Sequence, residues 1–117
     1  MTRHMLLIPV VGETRMVVAE SFDQMKALIV ADTIERVRVG IDWALCVDES
    51  GSYTDKPVNP RASILYGVQM HGTPIVGDAL LGMEGFVSEG DPMTAGVDWV
   101  DTSEEQARAF LRERAVE

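Results

Sequence analysis

One cysteine, two histidines and, from Ala62 to Ala107, neither lysine nor arginine are the scarcities of this 117-residue chain. The single thiol, Cys46, excludes an intramolecular disulfide and any multi-cysteine zinc or iron-sulfur site built from one chain. A buried, inert thiol is the ordinary state of a free cysteine. His4 and His71 form no metal-ligand pair at helical spacing, and a Cys46–His71 couple rests on no spacing signal. Neither Gly-x-Gly-x-x-Gly nor the P-loop with its lysine occurs, although glycines recur at 67, 72, 77 and 82. No apolar run approaches the roughly 20 residues that cross a bilayer, and the N-terminal run is too short for a secretory signal. These absences lead us to expect a cytoplasmic protein with no membrane association, no resident metal and no cofactor.

Apolar residues make up 46% of the chain and charged residues 25%, a balance that forms a packed core rather than disorder. The length suits one domain over 1–117. The net charge of −9 is uneven, because the cation-free span holds eight acids: Asp78, Glu84, Glu89, Asp91, Asp98, Asp101, Glu104 and Glu105. Such a stretch repels phosphate backbones, so direct nucleic-acid binding through it is not expected. It offers a solubilising face, or a surface for a basic partner.

The periodicities predict an α+β fold: a small mixed, mainly antiparallel sheet packed by a helix in the N-terminal half, a short Asn-capped helix and a C-terminal helix. "HMLLIPV" and "RMVVA" read as strands around the turn "VGET", with Pro9 marking an edge or bulge. Ser21 with Gln24 forms a capping-box pattern ahead of "FDQMKALIV", whose Phe22, Met25, Leu28 and Ile29 share a face. "TIERVRVG" and "IDWALCVD" alternate as an antiparallel pair, and "DESGS" supplies a turn. "PIVGDALLG" reads as a strand interrupted at Gly77 and Asp78. Residues 87–101 read as an acidic, Gly-rich loop, and 102–116 as a helix with acids early, arginines late and Ala107, Phe110 and Leu111 on one face.

The stretch from Val47 to Gly67 carries the densest polar chemistry. Asp48, Ser50 and Ser52 begin like a calcium loop, but Tyr53 stands where the invariant glycine belongs and Asn59 where the closing glutamate belongs, so calcium is rejected. Asn59 caps "PRASILY", with Pro60 in the first turn and Gly67 closing it. Arg61 is then a cation where the helix dipole prefers an anion. Its expected partner is a carboxylate of the same fold or a bound anion.

The order "LLIPV…GE", a helix, "CVDESG", "VNPRASILYG" and "PIVGDALLG" resembles the domain of unknown function family numbered 3846, found in bacteriophages and mobile elements. The likeness covers roughly residues 4–86 and is carried by Asp48 to Gly51, Asn59 with Ala62, and Ile75 with Gly77 and Asp78. It implies a phage setting more than a chemistry. From Val87 onward the chain departs from that pattern.

Two functional expectations follow. In the first, a non-catalytic phage accessory protein binds and modulates a host or defence protein, one with a basic surface, through the acidic C-terminal half, with Glu89, Asp91, Asp98 and Asp101 as candidate contacts. In the second, the chain binds or sequesters a small signalling molecule or nucleotide around the short helix, with Asn59, Arg61, Tyr66 and Asp78 as candidates; Tyr66 would stack on a base and Arg61 meet a phosphate. A hydrolase or transferase is the third reading, since acids for proton transfer exist but no arrangement is specified. A homodimer is the default oligomer.

Overall fold

Apolar residues stand next to one another, rather than alternating with polar ones, in "MLLI", "ALC" and "ALL", and such runs belong to strands covered on both faces. The computed structural model, which describes residues 3–50, 55–67, 72–87 and 96–116, places these runs in the centre of the sheet. In chain order the elements are β1 (His4–Ile8), β2 (Arg15–Val18), α1 (Phe22–Ile29), β3 (Ile34–Gly40), β4 (Trp43–Asp48), α2 (Pro60–Tyr66), β5 (Ala79–Val87), β6 (Gly96–Val100) and α3 (Glu104–Glu113). The sheet order is β2-β1-β5-β4-β3, with β6 also pairing β5. Every ladder among the described residues is antiparallel.

Alternate residues of the central strands feed two cores. Leu6, Ile8, Leu45, Val47 and Leu81 pack with Ala62 and Leu65 of α2 and Ala107, Phe110 and Leu111 of α3. Met5, Leu7, Ala44, Cys46 and Leu80 pack on the other face with Met25 and Ile29 of α1. At the α3 end, Phe110 stacks on Trp43 at 4.6 Å between centroids, while the Arg114 guanidinium lies 3.5 Å over the same ring. Phe22 departs from the expected face: it is 56% exposed, so α1 buries only Met25 and Ile29 fully. No helix among the described residues is long and apolar enough to cross a membrane.

The caps read from sequence at Ser21 and Asn59 form as expected, and Ser103 caps α3. Ser21, Asn59 and Ser103 accept from the backbone N–H three residues on, at the starts of α1, α2 and α3. The end of α1 is less ordinary, because Val30 adopts the left-handed conformation (φ 54°, ψ 57°), where a β-branched side chain is crowded. Gly67, which closes α2 at φ 81°, meets the same demand without strain.

Three boundaries differ from the expectation. The 87–101 loop is instead flanked by strand on both sides: Met83 to Val87 pairs with Gly96 to Val100. Within β5 the glycines and the acid have packing and pairing roles. A Cβ at Gly82 would lie 2.9 Å from the Trp99 ring, one at Gly85 would lie 2.8 Å from Val100, and Glu84 is held by Arg36 and Arg38. The 102–116 helix shortens to Glu104–Glu113, capped by Ser103, while Thr102 is tied by hydrogen bonds to β1 and β5. β1 and β6 lie end to end on the same side of β5, and at their junction the Thr102 hydroxyl accepts from Met83 N–H at 2.8 Å while its own N–H donates to His4 O at 3.1 Å. Before Gly77 the chain makes only a single bridge, Val58 with Val76, so β5 begins at Ala79.

Replacing Gly82 by alanine forces a methyl against the Trp99 ring and Met5 Cε, at 2.9 and 2.8 Å. Overpacking of this kind costs about 2 kcal/mol. Chemical denaturation checks it, and an unchanged midpoint would refute the account of how Trp99 is seated.

Candidate functional site

Asn59 stands at the end of the segment that returns from β4, and its carboxamide is wholly buried. Its Nδ2 donates to Ile8 O at 2.8 Å and Gly77 O at 3.0 Å, Oδ1 accepts from Ala62 N–H at 3.1 Å, and its own N–H donates to Ile75 O at 2.8 Å. It is therefore a staple between β1, α2 and the turn at Gly77, with both donors of its amide spent inside the fold.

Arg61, one helical step on, is aimed by this staple at the loop between β1 and β2. Its Nη2 donates to Pro9 O and Gly12 O, each at 2.7 Å. The expected carboxylate partner is not what the structure provides, since two backbone carbonyls hold the guanidinium instead. Among the described residues Arg61 makes no ion pair, and only its Nη2 finds an acceptor there. Across the same loop lies Arg108 of α3. Its Nη1 donates to Thr14 Oγ1 at 2.9 Å, its Nη2 to Thr14 O at 3.3 Å, and its Nε to Glu104 at 3.0 Å.

The two guanidiniums border one cleft of about 430 Å³, completed by Gly12, Glu13, Thr14 and Leu111. That volume is in the range of small-molecule sites. Arg61 and Arg108 are the last cation before the cation-free span and the first after it. Folding brings these two ends of an acidic stretch to one place. Sequence reading selected Arg61 but missed Arg108; the available hint, its i,i+4 spacing from Glu104, indicated only a surface helix pair.

The other candidates do not gather with Arg61 around α2. Asp78 accepts from Val10 N–H at 2.9 Å and so braces the opposite side of the β1–β2 loop. It lines a second cleft, of about 380 Å³, with Val10, Val11, Val30 and Lys56. Tyr66 packs at the edge of the α2–α3 core and lines a third, smaller cleft of about 110 Å³ with Asp48 and Pro74.

The acids of the C-terminal half are distributed differently from the sequence expectation. Glu89 and Asp91 lie outside the described residues, as does His71. Asp98 is 3.8 Å from Arg3, Asp101 accepts from the His4 ring at 2.8 Å, Glu84 lies between Arg36 and Arg38, and Glu104 pairs with Arg108. Cations from other parts of the chain are thus folded onto a segment that has none. The His4 backbone N–H and ring hold the Asp101 carboxyl below its usual range. Glu84 is the most enclosed of these acids, its side chain 5% exposed, with Oε1 3.5 Å from Arg38 Nε yet in no hydrogen bond.

Lys56, not foreseen from sequence, borders the second cleft. Its Nζ lies 2.6 Å from Asp48 Oδ2 and 2.6 Å from Val30 O, joining the end of β4 to the end of α1. Burial opposes the charge on Asp48, but bonds from Lys56 and from the Ser50 N–H and hydroxyl outweigh it and hold the carboxyl below its ordinary value. Burial pushes the Cys46 thiol up to about 12, so it stays protonated and unreactive near neutral pH. Among the described residues no three His, Cys, Asp or Glu side chains group to hold a metal ion. No family model, curated protein or solved structure matches the chain.

Truncating Asn59 to alanine leaves the carbonyls of Ile8 and Gly77 without their donor and removes the α2 cap. We expect a loss of about 3 kcal/mol by chemical denaturation; a loss under about 1 kcal/mol would show that the staple is dispensable.

The Lys56–Asp48 pair gives a pH test with a fixed sign. A carboxyl whose folded value is depressed stabilises the fold above its unfolded value, about 3.9, and that contribution vanishes as pH falls through the folded value. Lys56→Met should lower stability by about 3 kcal/mol at neutral pH, and the gap to wild type should narrow below about pH 4. A gap that stays constant with pH would mean that the pair is not what Lys56 contributes.

Proposed function

We propose that the chain is a non-catalytic binding module that takes a small anionic ligand in the Arg61–Arg108 cleft. The observation that carries this reading is the convergence of two guanidiniums on one cleft, one of them without an acid partner among the described residues, in a chain of net charge −9. Bracing the β1–β2 loop accounts for Nη2 of Arg61. It does not account for Nε and Nη1, whose planar N–H groups suit a phosphate or carboxylate. Binding fits the described lining better than catalysis, because its one hydroxyl, Thr14 Oγ1, accepts from Arg108 and neither a histidine nor a cysteine is among the lining residues. In the phage setting that the sequence resemblance implies, such a module would sequester a small host or defence signal in the cytoplasm.

The second reading, a host or defence protein bound through the acidic C-terminal half, has the net charge behind it. It loses part of its motivation because Asp98, Asp101, Glu84 and Glu104 already meet the chain's own cations or His4.

Calorimetric titration with inorganic phosphate and with nucleoside monophosphates tests the cleft. Arg61→Ala and Arg108→Ala should each weaken binding about tenfold or more, while Arg112→Ala, on the exposed last turn of α3, should not. Thermal unfolding of each variant separates lost binding from lost folding. Unchanged affinity in folded Arg61→Ala, or no heat from any ligand, would overturn the reading.

A further inference from the structure

The β1–β2 loop separates two clefts of contrasting chemistry. Gly12, Glu13 and Thr14 border the basic one, and Pro9, Val10 and Val11 border the other, with Val30 and Pro57 on its far wall. Along the loop the two linings meet in sequence at Val11 and Gly12. Each cleft, at about 430 and 380 Å³, falls within small-molecule dimensions.

The second cleft is apolar where it is open. Val11 is 87% and Val30 75% exposed, although single exposed valines elsewhere would need no explanation. Val30 also sits in the left-handed conformation, where glycine or asparagine would cap α1 without crowding, so its isopropyl group is held at the surface against local preference. The charged groups beside it are already engaged. Lys56 is bound to Asp48 and to the Val30 carbonyl, and Asp78 accepts from Val10 N–H. The crest between the clefts is fixed from both sides, by Arg61 on the carbonyls of Pro9 and Gly12 and by Asp78 on Val10. A ligand crossing it meets a preorganised path.

We propose that the ligand of the Arg61–Arg108 cleft is a soluble amphipathic anion, a phosphate or carboxylate bearing a single short aliphatic chain that crosses the Val11–Gly12 crest and lies against Val11 and Val30. The proposal rests on the anion-binding reading and names its ligand class. A bilayer is the less favoured occupant, since a net charge of −9 is repelled by anionic lipid surfaces.

The test compares methyl phosphate with hexyl phosphate by calorimetry on the full chain, with vesicles of anionic phospholipid as a separate arm. Hexyl phosphate should bind about tenfold or more tighter than methyl phosphate, as burial of several methylenes predicts even in an open cleft. In the Val11→Ser, Val30→Gly double variant that preference should fall to about threefold or less, with methyl phosphate affinity unchanged. Val30→Gly relaxes the α1 cap, so folding is not the confounding loss, and thermal unfolding confirms it. Equal binding of the two phosphates on wild type would overturn the aliphatic path and leave the anion site standing. A preference that survives in the double variant would also overturn it. Binding to vesicles without binding to hexyl phosphate would replace the proposed occupant with a membrane, and no binding of either phosphate would remove the anion reading together with this one.

Discussion

Three segments far apart in sequence are held at fixed positions by the carboxamide of Asn59. One amide nitrogen reaches the last residue of β1 and the turn at Gly77, while the oxygen starts α2. Because both donors and the acceptor are buried and used, displacing any one segment would strand a polar group away from water, which is costly. The direction of Arg61, the position of the β1–β2 loop and the start of β5 all depend on that geometry. The basic cleft is a consequence of a structural amide two residues before one of its arginines.

Charge that is segregated along the chain is mixed in space. Asp98, Glu84 and Glu104 find their counter-charges on Arg3 just before β1, on β3, and on α3, which begins inside the acidic span. This follows from the topology: β5, which carries Glu84, is the central strand, and its neighbours come from both ends of the sequence. A linear charge count cannot represent such pairing. It overstated the acidic face and gave no sign that Arg61 and Arg108 meet.

What the sequence made legible was local. Caps at Ser21 and Asn59, the β3–β4 hairpin and the apolar face of α3 depend on residues within a few positions of each other, and each formed. What misled was non-local. Gly85 belongs to a stretch whose composition signals a loop, but Val100 packs over it as Trp99 does over Gly82, and Thr102 reads as the start of a helix while its hydroxyl accepts from Met83 N–H of β5. Phe22 fits an amphipathic face by spacing yet is exposed, bordering a surface cleft with Ile34 and Trp99 instead of entering the core. Of the candidate ligand residues, Arg61 could be singled out because it violated a local rule, the preference of a helix start for acids. Arg108 violated none and was invisible until the fold placed it.

A basic cleft in an acidic protein has a physical consequence for what it admits. Charge interactions in solution decay over about 8 Å at physiological ionic strength, so a small anion inside the cleft responds mainly to the groups that border it: Arg61, Arg108 with its Glu104 partner, and Glu13. A nucleic acid spans many such lengths and would meet the whole surface, where a net charge of −9 opposes it. The same two arginines can therefore accept a small phosphate or carboxylate while the rest of the molecule turns away the polymers that carry most of a cell's phosphate. On the proposed reading, acidity is not separate from the binding site; it filters the site by ligand size. Its cost is in encounter rate, since the distant field slows the approach of every anion, and the affinity must come from short-range contacts in the cleft.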